Sequence, residues 1–441
     1  MRLALLLALL CPGITVAQIS DNVQISTLKN GMKILVQEDH TIPTVALYFF
    51  YRVGSRDERP GITGISHFFE HMMFNGSQQF GPGEFDRQME MRGGNNNAYT
   101  TKDVTVYTDW FPPDALELMM RMESDRMAHL AFQPKIVESE RGVVYSERRL
   151  RVDNDNFGAL EEQVNAAAII AHPYHWPVVG WASDIEAWTM QDLETYYKQG
   201  YAPNNCIMVA AGDVSAERVF QLAQQNFEVI PSHATFGVPR TVEPKQEGER
   251  VVRLRKEAEL PLLMMAFHMP PTKSPDYQAI EVLQTILATG ESSRLYSRLV
   301  DKEQAALNAQ AFDEPSLDPY LLDIVVEPRA GVDISHVRAL VLDELERIKT
   351  FPVPETELRK AKNLWLAAHY RELKSNAGRA NMLGTYEVFY GDYKKLYEEP
   401  AEVEKVTAAD VQRVAKQILT AENRTVGILM PQSKRIEESR Q

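Results

Sequence analysis

One short stretch constrains this chain more than any other: Gly64-Ile65-Ser66-His67-Phe68-Phe69-Glu70-His71-Met72-Met73-Phe74-Asn75-Gly76. Its apolar side chains at 65, 68, 69, 72 and 73 follow a helical period, which predicts a mostly buried helix. His67, Glu70 and His71 stand at i, i+3 and i+4 and so share one face of that helix. Two imidazoles and a carboxylate on an otherwise apolar helix are costly unless something satisfies them. A zinc ion would satisfy both imidazoles and leave the carboxylate free to act on a water. A pair of hydrogen-bonded core histidines is the other reading, and the stretch alone does not choose between them.

The rest of the chain bounds the answer. At 441 residues it is too long for one ordinary core, which predicts two or three domains. A hydrophobic fraction of 44% and a charged fraction of 24% are those of a globular protein. Met1-Arg2, the apolar run 3–10 and the small residues up to Ala17 read as a secretory signal peptide, residues 1–17, cut after Ala17. Bulky Leu10 argues against lipidation at Cys11, and no stretch is long and apolar enough to span a bilayer. The mature chain then holds one cysteine, Cys206, read as a buried strand residue, so no intrachain disulfide can form. A signal peptide without disulfides fits a periplasmic or secreted protein, with the periplasm the better match. The net charge of −14 argues against nucleic acid and anionic membranes as partners.

Taken in order, residues 23–37 predict two strands around the Asn30-Gly31 turn, and 44–53 a third, strongly apolar strand. A helix is expected over 84–92. Residues 93–100 read as a turn before a strand at 103–110. A helix over 114–129 carries a methionine stripe best explained by core packing. Pro134 opens another helix, to about residue 152, which holds Glu138, Glu140 and Glu147. Glu140 and Glu147 share a face, while Glu138 points away into solvent. Val143 and Val144 set the middle of this helix against a core, so an acidic residue beside them is a candidate third metal ligand. His172 and His175 lie in a loop pinned by prolines and aromatics rather than in a metal site. An apolar strand at 205–211 and a helix at 215–228 follow.

Residues 231–249 read as an interdomain linker, between an N-terminal domain, 18–230, and a C-terminal domain, 250–441. Beyond the linker the order of elements starts again. A strand at 260–269 leads to a helix at 275–289, and a strand at 423–430 matches the one at 205–211, so a duplicated α+β unit is expected. The second copy has no equivalent of the histidine pair. The tail 433–441 is polar and expected to fray.

His67-Phe68-Phe69-Glu70-His71, then 75 intervening residues, then Glu147, resembles the inverzincin, or pitrilysin-type, metallopeptidases of family M16. Gly93-Gly94 through Asn97-Ala98-Tyr99-Thr100 is similar to that family's edge-strand motif. Glu138–Val144 is similar to the run before its glutamate ligand, and Ser292–Tyr296 to a second-domain signature. The resemblance covers nearly the whole mature chain and points to the short, processing-peptidase-like branch. It implies an α+β fold of two similar domains, each a mostly antiparallel sheet with helices packed on it, as in the mitochondrial processing peptidase. It implies one zinc ion per chain on His67, His71 and Glu147, Glu70 as general base, Glu140 supporting the site from outside, and Asn97 and Ala98 pairing with substrate. The expected activity is zinc-dependent endoproteolysis of extended peptides or unfolded segments, with a non-catalytic scaffold or binding subunit on the same fold as the alternative.

One departure stands out. In many relatives the second domain carries an Arg and, seven residues on, a Tyr that contact the substrate carbonyl. Here those positions are Val300 and Leu307, which cannot donate a hydrogen bond. The loss of one such donor is worth ~10²–10³ in rate. The resemblance therefore implies a heterodimer with a related, metal-free subunit that supplies both groups, with a homodimer as the alternative. Arg294 and Tyr296 could stand in, although they look like scaffold residues.

Overall fold

The computed structural model describes residues 22–432. The expected signal peptide, Cys11 and the tail 433–441 lie outside the described residues.

The described residues build two sheets. The first joins β1 (Val23–Thr27), β2 (Lys33–Glu38), β3 (Val45–Tyr51), β4 (Asn95–Thr100), β5 (Thr105–Phe111) and β6 (Cys206–Gly212) in the order β1-β2-β6-β3-β5-β4. The second joins β7 (Arg250–Lys256), β8 (Leu262–Met269), β9 (Ala306–Asp313), β10 (Tyr320–Pro328) and β11 (Arg424–Pro431) in the order β7-β11-β8-β10-β9. In each, one pair is parallel, β2 with β6 and β7 with β11, and the rest are antiparallel. With β1 set aside, the second order repeats the first strand for strand. The molecule is therefore two similar α+β halves, as the repeated element order suggests. Residues 231–247 between them form no regular element.

β3 and β6 are buried along their whole length because helices cover both faces of the first sheet. One face packs on helices of its own half, including Ile65–Met72, Leu116–His129 and Ala216–Phe227. Met119, Met120, Met122 and Met127 all enter that core, and Cys206 lies in it as a free, buried thiol. The other face, with Leu35, Tyr48, Phe50 and Val209, is covered by Leu383, Val388 and Phe389 of the helix Asn376–Phe389 from the second half. The exchange is reciprocal: Leu160, Val164 and Ala168 of the helix Asn156–Ala168 cover Leu262, Met264 and Leu429 of the second sheet. The contact is close enough to need a glycine, since a Cβ on Gly384 would fall 2.0 Å from the Phe50 ring.

Three local readings change. Residues 95–100 form β4, the edge of the first sheet, and the turn is confined to the residues just before it. Cross-strand bonds to β5 hold these asparagines extended against their low strand propensity. The α-helix opened by Pro134 ends at Arg148 and passes into a π-helical turn, Arg149–Asp153. Of the two valines set against the core, only Val144 is buried, and Val143 is 47% exposed on the cleft described below.

Candidate active site

The helix Ile65–Met72 is fixed at both ends before its face carries any chemistry. At its start, the two oxygens of Glu58 accept the backbone N–H groups of Gly64 and Ser66, each at 2.8 Å. A carboxylate here satisfies orphan donors at the positive end of the helix dipole. Burial pushes the Glu58 carboxyl up to about 8, opposed by those same bonds. Gly64 has φ +85°, and a Cβ on it would stand 2.4 Å from the Val179 oxygen, so the loop before Gly180 closes directly on the helix start. At the other end Asn75 Nδ2 donates to the His71 carbonyl, and Tyr107 donates to the Phe69 carbonyl.

His67, Glu70 and His71 emerge on one face of this fixed helix, as their spacing requires. Glu147 comes from the helix Pro134–Arg148 packed against it. Its Oε2 lies 3.2 Å from His71 Nε2 and 3.6 Å from His67 Nε2. Among the described residues these three are the one group of His, Cys, Asp and Glu able to hold a metal, with ligand atoms all within 4.8 Å of one another. Two imidazole Nε2 atoms and one carboxylate oxygen converging on a point fit a three-ligand zinc site with an open fourth position.

The surrounding groups orient the three. Glu140 takes the far side of His71, accepting from Nδ1 at 2.8 Å, and its other oxygen accepts from Asn75 Nδ2 at 2.8 Å. His71 Nε2 is thereby left facing Glu147. Burial works against a charge on His71, but Glu140 and Glu147 outweigh it and hold the imidazole up to about 9. His67 goes the other way, pushed down to about 4 by burial and by the charge on His71. The hydrogen bond from His71 holds Glu147 down to about 2, against the cost of its burial. Arg151 Nε grips Glu147 Oε1 at 2.8 Å, on the side away from the histidines. Glu70 is raised by burial, opposed by a 2.6 Å hydrogen bond from the Thr100 hydroxyl.

These side chains sit in a cleft of about 1010 Å³, walled by β4, by Val143, Leu150 and Arg151, and by Trp176–Val179. Glu314 of the second half reaches its rim. Asn97 and Ala98 lie on β4, which among the described residues pairs only with β5 and so presents a free edge.

The structure brings His67, Glu70, His71, Glu140 and Glu147 together and leaves Glu138 outside, 76% exposed and paired with Arg141. His172 also stands apart, with Nε2 3.2 Å from Asp318 of the second half. Arg294 is engaged within its own half by Glu357 at 2.8 Å. Val300 packs on the second core, and Leu307 is 43% exposed. Sequence reasoning did not find Thr100 and Arg151 as site residues. Thr100 closes the Gly93–Thr100 motif, and Arg151 is four residues beyond Glu147, but only the fold shows which way each side chain reaches.

Two family models divide the chain between them. Residues 33–180 match the insulinase model of peptidase family M16, and residues 187–364 match the model of the M16 inactive domain. The chain belongs to peptidase family M16. It is 29% identical over 409 residues to the zinc protease PqqE of Helicobacter pylori, covering 92% of each chain. It is 26% identical over 405 residues to the probable mitochondrial-processing peptidase subunit beta of Schizosaccharomyces pombe, covering 89% of this chain and 88% of that one. The crystal structure of a protease from Helicobacter pylori superposes with a TM-score of 0.90 at 28% identity, over 93% of this chain and 99% of that one. The M16 fold thus accounts for both halves of the molecule, with the histidine pair in the half matched by the insulinase model.

Proposed function

We propose that this M16 protein is a zinc metalloendopeptidase that hydrolyses peptide bonds in extended peptides or unfolded segments. The observation that carries the reading is the convergence of His67, His71 and Glu147 with Glu70 beside them on the cleft wall. His67 Nε2, His71 Nε2 and Glu147 Oε2 would hold one zinc ion per chain. When bound, zinc supplies Lewis acidity toward the scissile carbonyl and lowers the pKa of a bound water toward ~7. Glu70 takes a proton from the attacking water and returns it to the leaving amine. Its raised pKa suits a carboxylate that must hold that proton between the two transfers. Glu140 keeps His71 in the ring orientation that offers Nε2.

The free edge of β4, with Asn97 and Ala98, accepts an extended substrate as an added strand. Main-chain pairing asks little of side-chain sequence, so selection falls to the size and shape of the enclosed space. We assign residues 18–230 to a metal-holding domain, 231–249 to a linker and 250–441 to a metal-free domain. We place the mature protein in the periplasm or outside the cell, on the sequence of residues 1–17. No helix among the described residues is long and apolar enough to cross a membrane.

Val300 and Leu307 leave the chain without carbonyl donors at those positions, and Arg294 is committed to Glu357. A heterodimer with a related metal-free subunit supplying an Arg and a Tyr meets that need; the similarity to a processing-peptidase subunit supports it, and a homodimer is the alternative. The same two residues favour a second reading, a non-catalytic binding subunit. Replacing Glu70 with Gln separates the readings. The proposed peptidase keeps its zinc and loses at least ~10²-fold in cleavage of an unstructured peptide. Cleavage retained in Glu70→Gln rules out Glu70 as the base. Zinc bound by the wild type with no cleavage, alone or with its partner, leaves the binding-subunit reading.

A further inference from the structure

We infer that Thr100 is a positioning residue for the base, fixing the Glu70 carboxylate from the strand that also takes the substrate. The inference rests on the peptidase reading above. The Thr100 hydroxyl donates to Glu70 Oε2 at 2.6 Å, a short bond of the kind made to charged acceptors. It is the one hydrogen bond the Glu70 carboxylate makes among the described residues. One carboxylate oxygen is therefore held, and Glu70 lines the cleft. Without this donor a glutamate at the cleft wall has several rotamers available, and the proton acceptor would be poorly aimed.

The donor itself is rigidly set. Along β4 the side chains alternate, so Ala98 and Thr100 turn toward the protein while Asn97 and Tyr99 are exposed. Just beyond Thr100 the chain is pinned to both halves of the molecule. Lys102 Nζ lies 3.3 Å from Glu314 and 4.3 Å from the Tyr320 ring centroid. Asp103 is buried and accepts the Tyr174 hydroxyl at 2.6 Å and the Leu317 N–H at 3.2 Å. The end of β4 thus has little freedom, and the Thr100 side chain carries that rigidity to Glu70. Because an extended peptide would pair with the same strand, scissile bond and base share one reference frame.

Thr100→Val tests this, since valine keeps the shape and β-branching and removes only the hydroxyl. The main chain of β4 still pairs with peptide, so the loss is expected in kcat, by about 10–100-fold, with KM within about 3-fold. Zinc affinity, read by chelator competition, and the thermal midpoint are expected to match wild type. Thr100→Ser restores the donor and is expected to recover kcat to within about 3-fold. An unchanged kcat in Thr100→Val, a loss confined to KM, or a Thr100→Ser variant as slow as Thr100→Val would overturn the inference. Glu70→Gln in the same assay keeps the two claims apart. If it is inactive while Thr100→Val matches wild type, only the positioning role fails; if it is active, the base assignment fails and this inference with it.

Discussion

His71 is held at both ring nitrogens, and the two contacts do different work. Nε2 meets Glu147, while Nδ1 is taken by Glu140, itself tied to Asn75. Glu140→Ala should therefore weaken zinc binding by about 10–100-fold in a chelator competition, while Glu138→Ala, on the same helix but in solvent, leaves it unchanged. Spacing alone showed that Glu140 and Glu147 share a helix face, but not which of the two reaches Nε2. That depends on how far along its axis one helix sits against the other, which no local pattern encodes.

A second residue supplies a pH handle remote from the metal site. His369 is buried, stacked on Trp365, and burial pushes its imidazole from the ordinary 6.5 down to about 4. Between those values the folded protein binds fewer protons than the unfolded chain. Its contribution is thus whole above pH 6.5 and is lost as pH falls toward 4. From about pH 7.5 to about pH 5 the wild type should lose about 2 kcal/mol relative to His369→Gln in urea unfolding.

At the scale of elements, the apolar strand at 45–51 and the helices at 65–72 and 134–148 were legible because each carries a clear period or an opening proline. β4 was legible only through the resemblance to an edge-strand motif, since three consecutive asparagines look locally like a turn and become a strand by pairing with β5. β7 escaped the reading for a similar reason: its Arg, Val and Leu residues adjoin the linker and carry no continuous apolar run. Of the exchanged helices, Asn376–Phe389 was not read as an element, and no local pattern showed the destination of either one. An amphipathic pattern tells which face is buried, not which sheet it covers. Gly384 tests the exchange, because it lets the helix Asn376–Phe389 lie directly on Phe50 of the first sheet. Gly384→Ala should cost about 1–3 kcal/mol by overpacking, measured as a lower urea midpoint at unchanged m-value.

At the scale of the whole molecule, the duplication was visible in element order and is repeated strand for strand in the two sheets. What element order could not reveal is that each half finishes the other's core. Loop contacts add to this, with Arg56 and His172 of the first half both on Asp318 of the second. One half brings His67, His71 and Glu147 together, while the other contacts Lys102 and Asp103, just beyond β4, through Glu314 and Leu317, and carries Val300 and Leu307 where the proposed function calls for donors. The proposed function requires His67, His71 and Glu147 to hold one catalytic zinc. Zinc per chain, measured together with peptide cleavage through a cycle of chelation and zinc return, tests it most directly, in the protein alone and with the proposed partner subunit. The expected result is one zinc per chain in the wild type, none retained in Glu147→Ala, and cleavage that disappears with the metal and returns with it. Cleavage that survives complete removal of zinc, or full zinc occupancy in Glu147→Ala, would contradict the account.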